Sequence, residues 1–103
     1  MVEQINEAKF DELINGETPV VCDFFAKWCG PCKMLAPVMD AVAEKFEDAV
    51  FVKVDIDECA SLAVRYGIMS IPYVAIFKGG ELTAKTMGYM TEEEAETFLK
   101  ENL

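Results

Sequence analysis

The chain has 103 residues, 52% of them hydrophobic, with 19 acidic against 9 basic side chains, no histidine and a formal charge of −10. That length builds one modest core and not two, so a single domain over residues 1–103 is expected. A surface of this sign repels a nucleic-acid duplex and an anionic membrane; it serves solubility, or it selects a basic partner.

Met1 to Phe10 (MVEQINEAKF) has no basic n-region and no apolar h-region, and no apolar stretch approaches the ~18 residues that span a bilayer. A cytoplasmic protein is therefore expected, and in that compartment its four cysteines read as redox-active, metal-binding or buried rather than as two structural disulfides. Val2 to Ile5 predicts a short edge strand. Asn6 caps a helix whose apolar positions Phe10, Leu13 and Ile14 recur three and four apart, and Gly16 stops it. Pro19 to Ala26 (PVVCDFFA) is a nearly continuous apolar run, the pattern of a central strand covered on both faces. A helix follows from about Pro31 to Phe46, with Leu35, Val38, Val42 and Phe46 on one stripe and a kink expected at Pro37.

Ala49 to Val54 predicts a second buried strand, and Glu58 to Tyr66 a short helix closed by Gly67. Tyr73 to Phe77 and Leu82 to Met87 flank Lys78-Gly79-Gly80-Glu81, a hairpin turn. Thr91 and Glu94 make a capping box for a last helix that buries Ala95, Phe98 and Leu99. The order β-α-β-α-β-α-β-β-α implies an α/β fold with helices on both faces of a sheet that is parallel in part and antiparallel at the hairpin.

Chemistry concentrates where the central strand hands over to the long helix. Trp28-Cys29-Gly30-Pro31-Cys32 carries a C-x-x-C pair, whose spacing in a helical turn lets two sulfurs approach bonding distance. Cys29 falls at the helix N-terminus, where free N–H groups and the macrodipole favour the thiolate that attacks disulfides. Pro31 fits the first turn because its missing N–H costs nothing there. Cys32 lies deeper, suited to resolving a mixed disulfide. A structural zinc site is the competing reading, but such sites take four ligands; this chain has no histidine, and Cys22 and Cys59 stand alone.

Asp23 is the second clue: an unpaired charge buried inside PVVCDFFA is costly unless it has a task, the alternative being an edge strand that leaves it facing solvent. Alternation puts Val21, Asp23 and Phe25 on one face and Val20, Cys22 and Phe24 on the other. A buried carboxyl has a raised pKa, suited to taking and returning the proton of Cys32. Lys53, between Val52 and Val54, either reaches solvent at a strand end or sits near Asp23 and modulates it. Ile71-Pro72 opens a strand, where a cis bond in a tight turn would reconcile the proline with pairing.

WCGPC, Asp23 six residues before Cys29, Pro37, Lys53, Ile71-Pro72 and Gly88 together resemble the thioredoxin family, over essentially the whole chain from Phe10 to Leu103. The resemblance implies a five-stranded mixed sheet flanked by four helices, with Pro72 cis and facing the cysteines. It implies that Cys29 is the nucleophile, Cys32 the resolving thiol, and Asp23 with Lys53 the proton-handling pair. Trp28, Ile71, Pro72 and Gly88 would line an apolar surface that grips substrate backbone.

By the same resemblance the chain is a monomeric protein-disulfide reductase with no cofactor beyond a redox-active Cys29–Cys32 disulfide. Its partners would be disulfide-containing substrate proteins and a thioredoxin reductase. A protein-binding module of the same fold, and a disulfide oxidase or isomerase, are the alternatives; Gly30-Pro31 between the thiols favours reduction. Tyr73, Tyr89 and Met90 are bulkier than the family's usual residues there and border the expected docking surface, unless they belong to the core. Cys22 is expected to be an inert packing residue, and Cys59 a more exposed thiol.

Overall fold

In the computed structural model, which describes residues 1–103, every predicted element forms, in the predicted order. They are β1 (Glu3–Gln4), α1 (Glu7–Ile14), β2 (Val20–Phe25), α2 (Gly30–Ala43), β3 (Val50–Asp55), α3 (Ala60–Arg65), β4 (Tyr73–Lys78), β5 (Glu81–Met87) and α4 (Glu92–Asn102). Local chemistry sets most of the ends. The Asn6 side chain accepts the Lys9 N–H at 2.9 Å, and Thr91 and Glu94 exchange both bonds of a capping box, at 3.1 and 2.9 Å. Gly67, at φ +60°, closes α3 with paired bonds from Ile68 N to Ala63 O (2.8 Å) and Gly67 N to Val64 O (3.2 Å). Gly79 and Gly80 both take the left-handed conformation that a two-residue hairpin turn requires.

One boundary shifts. The long helix starts at Gly30 and ends at Ala43, three residues short of Phe46, tightening into a turn in which Lys45 N bonds Val42 O at 2.9 Å. Phe46 still packs on the core from beyond the helix end. The helix also runs through Pro37 without a break.

The sheet order is β1-β3-β2-β4-β5. The first three strands are parallel, while β4 runs antiparallel to both β2 and β5, so the antiparallel part extends one strand beyond the hairpin. Because side chains alternate, β2 and β4 each serve two cores. Cys22, Phe24, Tyr73, Ala75 and Phe77 face α1 and α3, against Phe10, Ile14 and Leu62. There the rings meet edge to face, Phe10 with Phe77 at 5.1 Å and Phe24 with Tyr73 at 5.9 Å. Val21, Val74 and Ile76 face α2 and α4, against Leu35, Met39, Val42, Ala95 and Leu99.

Candidate active site

The site grows from the loop between β2 and α2. Cys29 is the N-cap of α2, extended at φ −88° and ψ 111°, and its sulfur accepts the Cys32 N–H at 3.2 Å. A charge at that sulfur is thus held by one of the helix's otherwise unpaired donors. Cys29 and Cys32 are joined as a disulfide with Cα atoms 5.3 Å apart, and both are nearly inaccessible. Gly30 and Pro31 form the first turn, and a Cβ built on Gly30 meets nothing, so packing does not require glycine there.

Asp23 lies on the α2 side of β2, as the alternation requires, and is 2% exposed. Its Oδ1 has no hydrogen-bond partner. Burial pushes its pKa up to about 7, against the opposing pull of the Lys53 ammonium. Lys53 is its direct neighbour in the parallel register of β3 and stands 5.5 Å from the ring centroid of Phe25. A cleft of ≈ 350 Å³ brings Asp23, Lys53 and Cys32 together beneath the start of α2, with Ala36 small enough to leave it open.

On the other side of the disulfide, the Ile71–Pro72 bond is cis, and Cys29 Sγ lies 3.9 Å from the Ile71 carbonyl oxygen. The Gly88 N–H donates to the Pro72 carbonyl at 2.8 Å, which joins the two loops expected to meet substrate. Gly88 sits at φ +91°, a conformation that side-chain-bearing residues rarely adopt. Trp28, directly before Cys29, is 69% exposed. Of the residues singled out in the sequence, Asp23, Lys53 and Cys32 thus meet in one cleft, and Cys29, Ile71, Pro72 and Gly88 meet on the other side of the disulfide.

Two residues that the sequence reading passed over complete the rim. The Trp28 Nε1–H donates to Asp57 Oδ2 at 2.8 Å, and the Asp57 N–H donates to the buried Asp55 at 2.8 Å. Asp55 ends β3 and Asp57 follows two residues later, so the carboxylates fasten the indole to the sheet. The one signal in the sequence that sets Asp57 apart from the other acidic residues is its position just past a buried strand.

One expectation is corrected and one open alternative is settled. Cys59 is buried at 7% exposure, because as the N-cap of α3 it turns into the core under α1. Burial, then Glu7 and Glu58, raise its pKa; burial, with Asp23 and Cys59 adding, raises that of Cys22 well above the ordinary thiol value. Of the three bulky residues at the docking surface, Tyr73 is core on the α1 and α3 side and Met90 is core on the other. Only Tyr89 is exposed, since the chain direction set by strand pairing at Tyr73 and Met87 turns the others inward. No cluster of three or more cysteine, aspartate or glutamate side chains is arranged to hold a metal ion.

A family model described as Thioredoxin matches residues 1–101. The chain is 43% identical over 100 residues to the thioredoxin of Porphyra purpurea, covering 95% of this chain and 94% of that one. It is 44% identical over 91 residues to the mitochondrial thioredoxin of Mus musculus, covering 87% of this chain and 55% of the relative. Among solved structures, Plasmodium falciparum thioredoxin superposes with a TM-score of 0.89 at 32% identity, over 96% of this chain and 98% of that one.

Proposed function

The chain belongs to the thioredoxin family of thiol–disulfide oxidoreductases, and from that premise we propose that it reduces disulfides in substrate proteins, with Cys29 as nucleophile and Cys32 as resolving thiol. The observation that carries the reading is the placement of Cys29 at the α2 N-cap, its sulfur accepting the Cys32 N–H, with the unpartnered Asp23 carboxyl in the cleft behind Cys32.

In the reduced protein the Cys29 thiolate attacks one sulfur of the substrate disulfide. A mixed disulfide forms, and the other substrate sulfur leaves as a thiolate that takes a proton from solvent. The Cys32 thiol then passes its proton to Asp23 and attacks the Cys29 sulfur. That step expels the second substrate sulfur, which takes up a proton, and closes the Cys29–Cys32 disulfide present in this structure. The substrate has gained two electrons from the dithiol and two protons from solvent; the protein, which began with Cys29 already a thiolate, has lost the two electrons and the single Cys32 proton, which Asp23 passes to solvent through the cleft. A carboxyl with a pKa of about 7 is matched to this exchange near neutrality, and Lys53 keeps it from rising further.

Trp28, Ile71, Pro72 and Gly88 hold the substrate segment over Cys29. The cycle restarts when a thioredoxin reductase returns two electrons to the disulfide. A monomer working in the cytoplasm suits this role, and no helix is long and apolar enough to cross a membrane.

Reduction of insulin by dithiothreitol tests the reading. Wild type should accelerate precipitation of the insulin B chain, Cys29→Ser should not, and Cys32→Ser should accumulate a mixed disulfide. No acceleration by wild type overturns it.

A further inference from the structure

The rim of the site carries opposite charge on its two sides. The cleft beside Cys32 is bordered by Lys27, Lys33 and Lys53, a third of the chain's 9 basic side chains, and by no glutamate. Asp23, at 2% exposure, is the one carboxyl in its lining, and Lys53 is its register neighbour. Lys33 makes no ion pair at all, and Lys27 only a 3.4 Å contact to Glu58 in which both side chains are more than half exposed. Two cations at the mouth are therefore free for an outside anion.

Across the sheet, one row of paired residues runs Lys53, Asp23, Val74, Thr86 over β3, β2, β4 and β5. Thr86 borders a second groove, beside α4, whose charged lining is Glu93, Glu94 and Glu101 with no cation among them. Three strand spacings, about 14 Å, separate the two ends of the row. The loops of Pro72 and Gly88 adjoin β4 and β5 within that span. The row of paired residues thus runs from a lysine-lined cleft at one end to a glutamate-lined groove at the other.

We propose that the lysine-lined cleft beside Cys32 is a subsite for an aspartate or glutamate side chain flanking the attacked cysteine of a protein substrate. This names the substrate class of the reductase reading and rests on it. It also runs against the chain's overall charge, which by itself repels acidic partners. The opposite rim makes the subsite one-sided: an acidic residue on the far side of the same cysteine meets glutamates instead.

The test uses two peptides of identical composition, Asp-Asp-Cys-Ser-Ser and Ser-Ser-Cys-Asp-Asp, with capped ends and the cysteine in a mixed disulfide with thionitrobenzoate. Reduced wild type should release the chromophore from one of them about fivefold faster in low salt, the size expected of partly exposed charge pairs. The ratio should fall to one in the double variant Lys27→Glu/Lys33→Glu and should shrink in ~1 M NaCl, where the screening length is ~3 Å. Equal rates for wild type overturn the proposal, because net charge cannot distinguish peptides of one composition. A preference that survives the double variant also overturns it. If wild type attacks neither peptide faster than Cys29→Ser does, the reductase reading falls and the subsite with it.

Discussion

Cys22 and Asp23 are neighbours on one strand, both shut away from solvent, and they face opposite layers of the molecule. Around Cys22 the α1 and α3 layer is filled by interlocking rings and branched side chains, and the thiol is one more apolar filler with a raised pKa. Around Asp23 the filling stops: Ala36 is small, α2 has only just begun, and a cleft links the carboxyl to Cys32 and Lys53. Equal burial therefore has opposite consequences. A closed layer silences a reactive group, whereas a buried group beside an opening has its pKa moved to where it can exchange protons.

Thiol alkylation of the reduced protein presses this contrast hardest. Iodoacetamide should label Cys29 roughly a thousandfold faster than Cys22, because Cys22 must wait for the layer to open. Mass spectrometry of timed samples reads the ratio; comparable rates would mean that the layer is not closed. Truncation comes next. Phe24→Ala, in the filled layer, should cost about 3–5 kcal/mol in urea unfolding, since three aromatic neighbours lose their contacts.

Asp23→Asn should do the reverse. The native state holds the Asp23 proton up to about pH 7, whereas an unfolded aspartate loses it near 4. Between those values the native state binds the extra proton, so this group makes stability fall as pH rises through the window, and the loss is complete above it. The variant should therefore match wild type near pH 4 and exceed it by about 2–4 kcal/mol at pH 8. Its resolution of the mixed disulfide should lose the step near pH 7. A variant no more stable than wild type at pH 8 would mean that the cleft solvates the carboxylate. Asp57→Asn, at the exposed rim, should have the smallest effect, weakening the hold on Trp28 by about 1 kcal/mol and altering the indole fluorescence.

Much of this architecture was legible before any coordinates. Asn6, Thr91 with Glu94, Gly67 and Gly79-Gly80 act on backbone groups within a few residues, so the ends they set fall where their chemistry says. The end of α2 was not legible, because neither glycine nor proline marks it. Alternation along β2 placed Asp23 and Cys22 on opposite faces, as observed, and the C-x-x-C pair predicted the N-cap of a helix. Cys59, Tyr73, Met90 and Asp57 escaped, each for one reason: which way a residue at an element's end turns depends on the path of the chain beyond it.

The sequence by itself determined the elements, their order, the two faces of the central strand and the cysteine pair at a helix start, because all of these follow from local periodicity and capping. Only the tertiary structure decided that β3 and β4 flank β2, so that Lys53 stands beside Asp23, and that Pro72 meets Gly88 next to Cys29. Strand order and register are set by which apolar faces can close together, a choice made by the whole chain at once. The pKa of Asp23 belongs to that second category as well, since it depends on how completely its neighbours exclude water.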